Sequence, residues 1–354
     1  MIDFRYHLVS IVAVFLALAI GIVLGSTELQ GNTLDVLRSS SDSLKSQLQA
    51  ASEQRNSYAQ LAGASDTFVK TAEPKLLDGM LAGERLVIVT EPGAPSSVVN
   101  GVKQAAGLAG ATVTGTVALE PKFNDLSGAT QSSLNVINAQ MAANDSTPLA
   151  TTNGSAAVYQ QQAAQLIGTA ILAKKETDPG LPVANAQTLL QAYASAGYLS
   201  ASGSLTGNSP LTDRATVAVL VTPGTAPADG ANDPVNQVLL GVAQEFAAAS
   251  AATVVSGSIA GSAAAGSAVA VLRGSSVSGQ VSSVDNADTT LGQISTMWAL
   301  AGQQAGGKPN SYGISGASAV SPPVPLPVPS VTPTPPVTPS GKATGKVKKT
   351  VTPK

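Results

Sequence analysis

The chain has 354 residues, 44% of them hydrophobic, 3% aromatic and 11% charged, with a formal net charge of -2. That length holds one or two domains with a core of small side chains, and the charge supplies no basic field for nucleic acid. Cysteine is absent, which excludes disulfides, thiolate metal centres and a cysteine nucleophile.

Residues 8–25 read LVSIVAVFLALAIGIVLG, with Ser10 the one polar side chain. As a helix this stretch reaches roughly 27 Å, close to the hydrocarbon thickness of a bilayer. Arg5 precedes it, and Glu28 and Asp35 follow before Arg38. That asymmetry predicts residues 1–7 in the cytoplasm and an uncleaved signal-anchor over 8–25; the alternative is a cleaved signal peptide ending near Gly25. Ala13, Ala17, Gly21 and Gly25 recur every four residues. They form a small-residue face on which two helices can pack in lipid.

Residues 26–70 are predicted as a helical coiled-coil stalk. Leu34, Leu37, Leu44, Leu48, Ala51 and Tyr58 fall on a and d positions, and Ser41 and Arg55 interrupt the seam. The expected partner is a second copy, in a homodimer or a higher oligomer; the competing reading is one amphipathic helix folded back on its own domain.

From residue 84 the pattern turns to alternating strands and helices. The run 86–90 before Glu91-Pro92-Gly93, a helix over 96–108 and a strand over 111–118 form one unit. A second follows: strand 216–222 before Pro223-Gly224, a helix over 234–249 capped by Asp233, then strand-like segments at 252–255 and 268–272. The order predicts an α/β domain over 84–316 with a mainly parallel sheet, and a loose internal duplication of 84–150 in 212–316. Helices are expected between the units near 158–175 and 184–195. A last helix is expected over 289–304, with Asp288 as cap and Gly306-Gly307 as stop. Neither strand-end turn has the glycine spacing of a nucleotide loop. Residues 317–354 hold the proline-rich run 321–340 and Lys342, Lys346, Lys348, Lys349 and Lys354. This composition predicts a disordered tail, able to cross cell-wall polymer or simply solvated.

The single histidine, His7, lies at the edge of the apolar helix, so a His-based triad or zinc site in the domain is excluded. Met80, Met141 and Met297 are widely spaced thioethers, and Met297 beside Trp298 reads as packing. Asp285 with Asn286 is a weak candidate cation site. No catalytic constellation is legible, so a non-enzymatic role is expected.

The opening MIDFRYHLVSIVAVFLALAIGIVLGS, with Arg5, His7 and Val9-Ser10, and the segment 281–313 ending in Tyr312-Gly313, resemble the mycobacterial copper-transport outer-membrane proteins, the MctB family. The likeness covers about residues 1–316. The resemblance implies an envelope protein tied to copper transport and homeostasis, with copper as cargo and a pore as the means. The residues themselves show neither the alternating strands nor the aromatic girdles of a transmembrane barrel, and transfer no copper ligands. They fit equally a membrane-anchored scaffold that recruits or regulates a cell-wall or division enzyme.

Overall fold

The computed structural model describes residues 4–145, 147–149, 156–175, 177–178, 181–205 and 214–323, and over 26–34 the backbone alone. The expected tail from residue 324 onward lies outside the described residues.

One helix, α1, runs from Phe4–Leu77. The apolar stretch and the heptad stretch are therefore parts of a single rod, about 110 Å long. Pro74 sits in its last turn, where the rod ends within a few residues and little helix remains for proline to break.

The domain then mixes strands and helices, with α3 and β3 added to the expected elements between the two units. It runs β1 (Arg85–Thr90), α2 (Ser96–Leu108), β2 (Thr112–Leu119), α3 (Gly128–Asp145), α4 (Val158–Ile171), α5 (Val183–Ser195) and β3 (Leu199–Gly203). It continues with β4 (Val217–Val221), α6 (Pro234–Ala249), β5 (Ala252–Ser256), α7 (Ile259–Ser262), α8 (Ala268–Arg273), β6 (Ser282–Val284), α9 (Thr290–Gln304) and β7 (Ser311–Tyr312). Among the described residues the seven strands form one sheet in the order β3-β2-β1-β4-β5-β6-β7. All neighbours are parallel except β2 and β3. The chain winds outward from β1 through β2 to β3, then restarts at β4 and winds the other way. Strand order thus reverses between β1 and β4, the position at which doubly wound sheets open a crevice at their carboxyl ends.

Both faces of the sheet are covered, which is why the central strands read as continuous apolar runs. Val87 and Val89 of β1 pack with Leu134, Ile167, Leu189 and Val238 from α3, α4, α5 and α6. Leu86 and Ile88 point the other way, toward Leu77 of α1, Val102 of α2 and Met297 and Leu300 of α9. The register of β1 on β2 shifts between Leu86 and Val87. At that bulge a Cβ on Gly115 would lie 2.2 Å from the Ser202 carbonyl oxygen, so only glycine fits.

Two sequence expectations are corrected. Residues 268–272 form helix α8 and not a strand. The Ser267 side chain accepts from the Ala270 amide at 3.3 Å, and Ala268, Val269 and Leu272 are buried at helical spacing. The strand that follows β5 is the short, serine-bearing β6, fully buried yet without an apolar run to announce it. The cap of α9 is Thr289, whose hydroxyl accepts from the Gly292 amide at 3.1 Å. Asp288 instead accepts from the Ile259 amide at 3.0 Å and ties α7 to the loop before α9. Asp233 caps α6 as expected, accepting from the Val235 amide at 3.0 Å.

Candidate functional site

Three regions carry the residues of interest: the rod, the loop around Asp285, and the carboxyl edge of the sheet. Among the described residues, Phe4–Gly25 is the one stretch long and apolar enough to cross a membrane. Phe15, Leu16, Ile22 and Leu24 all stand exposed along it, an arrangement unfavourable in water and suited to lipid. Beyond it the rod still presents large apolar side chains to solvent: Leu37, Leu44, Leu48, Tyr58 and Leu61 are each 60–69% exposed. Of the predicted seam, Leu37, Leu44, Leu48, Ala51 and Tyr58 thus stand exposed, the Tyr58 hydroxyl accepting from the Gln54 amide at 3.2 Å, while Leu34 is described by backbone only.

Helical continuity relates the two predicted faces to one another. Ala17 to Leu44, and Gly21 to Leu48, are each 27 residues apart, or about 7.5 turns. The Ala13, Ala17, Gly21, Gly25 face and the leucine seam therefore lie on opposite sides of one rod. A straight pair of rods can use one of them as its seam, not both.

The seam ends by entering the domain. Val69 and Leu76 are half-buried against α2 and α9, and Leu77 is fully buried. The Trp298 indole N–H donates to the Leu76 carbonyl at 3.1 Å. Glu73 is buried in the same contact, which raises its carboxyl above the ordinary range.

The candidate cation site at Asp285 is a structural staple. Its carboxylate is fully buried and pairs with the Arg273 guanidinium at 2.8 Å. It also accepts from the amides of Ile314 at 2.8 Å and Ser315 at 2.7 Å. Arg273 donates further to the Tyr312 and Ser315 carbonyls. These bonds pin the segment after β7 to β6, and the Arg273 guanidinium already balances the carboxylate's charge. Gly313 is held at φ 125°. A Cβ there would lie 1.9 Å from the Asp285 Oδ1.

The thioethers do not converge. Met297 and Met80 pack on the α1, α2 and α9 side of the sheet, and Met141 on the other. His7 is exposed on the apolar helix. Among the described residues no three of His, Cys, Asp and Glu come together to hold a metal ion.

The carboxyl edge holds what the sequence reading passed over. Glu91, the residue after β1, is 2% exposed, and its Oε1 has no hydrogen-bond partner among the described residues. Burial pushes its carboxyl up to about 8. At the ends of β4 and β6, Thr222 Oγ1 and Asn286 Oδ1 are likewise buried without partners. Glu91 lines a cavity of about 400 Å³ with Ser96 and Asn100 of α2, Thr116 of β2 and Glu120 just beyond β2. The signal in the sequence was a carboxylate set directly behind an apolar strand and ahead of Pro-Gly, a place where a buried acid has no structural need to be.

Comparison with known proteins bears on the whole rod and domain together. A family model described as "Copper transport outer membrane protein, MctB" matches residues 1–322. The chain is similar to the copper transporter MctB of Mycobacterium tuberculosis, 31% identical over 329 residues, which is 91% of this chain and 98% of the relative. It is also similar to that of Mycobacterium leprae, 32% identical over 329 residues, 91% of this chain and 100% of the relative. With apolar helix, rod and α/β domain all inside the match, the chain belongs to the MctB family.

Proposed function

We propose that the chain is a membrane-anchored component of copper transport or efflux at the cell envelope, contributing to copper homeostasis. The observation that carries this reading is family membership over residues 1–322. In it, Phe4–Gly25 stays uncleaved as a signal-anchor, with Arg5 on the cytoplasmic side and the domain outside. Copper is cargo. In this reading the ion is met by an assembly of copies or by a partner. The test is a strain lacking the chain, challenged with copper, with cell-bound metal measured by mass spectrometry. Several-fold higher cell copper and growth arrest at lower copper are expected. Unchanged copper content and growth would overturn the reading.

A second reading is favoured by the run of exposed leucines on the rod. Here the chain is a non-enzymatic scaffold whose stalks pair and whose domains recruit or regulate a cell-wall or division enzyme. Charge substitutions at Leu37, Leu44 and Leu48 would then abolish function while copper content stays normal. Under the first reading the same variants change copper content.

A further inference from the structure

The crevice at the carboxyl ends of β1 and β2 has an acceptor end and a donor end. At the acceptor end stands Glu91, its Oε1 buried and unpartnered. Glu120 lines the same cavity from the end of β2, with Oε1 accepting from the Ser200 hydroxyl at 2.9 Å. At the donor end is the first turn of α2, a helix of 13 residues whose N-cap, Pro95, makes no side-chain cap bond. The amides of Ser96 and Ser97 precede its first bonds, which Val98 and Val99 make to the Pro95 carbonyl, and carry the positive end of the helix dipole. Ser96 and Asn100 add a hydroxyl and an amide there. Among the described residues no lysine or arginine lines the cavity. The nearby Lys122 is turned away, donating to the Ala196 carbonyl at 2.8 Å and lying 4.6 Å from the centre of the Tyr198 ring.

A buried carboxyl without a partner costs the fold stability unless something completes it. Without a cation in the wall, the ligand itself must bring one. A second carboxylate, Glu120, disfavours a simple anion, yet the α2 terminus invites a negative group at the opposite side. The volume of about 400 Å³ suits a small molecule and not a polymer. We propose that this crevice binds a small zwitterion of the amino-acid type, its ammonium on Glu91 and Glu120 and its carboxylate on the first turn of α2. This site is independent of copper handling.

The pairing has a pH signature. An ammonium is held by ionised Glu91, and burial keeps that carboxyl protonated up to about 8 in the empty crevice. Glu120 is the other titratable group in the cavity wall; α2 and β2 contribute none. Binding therefore strengthens as pH rises from 6 to 8, approaching tenfold per pH unit below the carboxyl's titration.

The experiment is calorimetric titration of the full chain in lipid nanodiscs with L-alanine, ethylamine and acetate at pH 6, 7 and 8. L-Alanine is expected to bind at least tenfold more tightly at pH 8 than at pH 6. Ethylamine is expected to bind more weakly with the same pH trend, and acetate not at all. In Glu91→Gln the pH trend disappears and L-alanine binding falls at least tenfold. Should Glu91→Gln fail to fold, the pH trend of the unaltered chain and Glu120→Gln, expected to weaken L-alanine binding several-fold, decide the matter. No L-alanine binding at any pH, binding independent of pH, or acetate binding as tight as L-alanine would each overturn the proposal.

Discussion

At the scale of single residues, two of the buried carboxylates, Asp285 and Glu91, show what a partner is worth. Asp285 has Arg273 and two backbone amides; Glu91 has nothing on Oε1. The pair is a closed unit, so Arg273→Ala leaves a buried charge without compensation. That substitution is expected to cost about 3–5 kcal/mol in chemical denaturation, and Gly313→Ala, which meets Asp285 at a strained φ, about 1–3 kcal/mol. Glu91 works the other way. Its folded carboxyl titrates at about 8 against an ordinary 4.5, so the native state holds its proton over a window where the unfolded chain has released it. Stability therefore falls as pH rises from 4.5 to about 8, and levels off above. Glu91→Gln removes that slope. The variant is expected to match the parent near pH 4.5 and to exceed it by about 2–5 kcal/mol at pH 8 in denaturant titrations. Identical pH profiles for the two chains would contradict the assignment of Glu91 as a buried, uncompensated acid.

At the scale of elements, the rod is the informative case. Leu37, Leu44 and Leu48 stand exposed in one stripe, and self-association through them is a matter of burying that stripe. Replacing all three with glutamate is expected to abolish crosslinking between copies while leaving the circular dichroism of the domain unchanged. The opposed faces sharpen the test. Since the chain has no cysteine, Leu44→Cys and Gly21→Cys each report one face. Single variants that crosslink give dimers. The double variant, if both faces are used, gives a ladder beyond dimers, because opposite faces reach different neighbours. Much of the element pattern was legible in the sequence. Apolar β1 and β4, the Asp233 cap and the amphipathic helices showed because each is local. The short strands β6 and β7 did not show, because Ser282-Ser283 and Ser311 are placed in the sheet by their neighbours and not by an apolar run. Residues 268–272 misled because five small apolar residues fit either period, and the Ser267 cap decided for helix. Glu91 was quoted only as the end of a strand; that it is buried and unpartnered depends on α2 closing over it, which no local pattern reveals.

At the scale of the whole molecule, the rod and the domain are joined without a hinge. The heptad register of the exposed Leu44 and Leu48 continues past Arg55 to the half-buried Val69 and Leu76, so one helical face serves first as a surface and then as core. Gly25 and Val69 are 44 residues apart, which sets the domain about 65 Å along the rod from the end of the apolar stretch. The rod meets α9 through the Leu76 carbonyl bonded to Trp298 and through the buried Leu77. Trp298 is the one tryptophan in the chain, so its fluorescence reads this joint directly. Leu77→Ala empties a fully buried position between α1 and α9. It is expected to cost about 2–5 kcal/mol of domain stability and to shift Trp298 emission to the red as water reaches the indole. The triple glutamate variant at Leu37, Leu44 and Leu48 leaves that joint intact and is expected to leave the emission where it was. A red shift in the triple variant, or none in Leu77→Ala, would mean that rod and domain meet elsewhere than at Leu76 and Leu77.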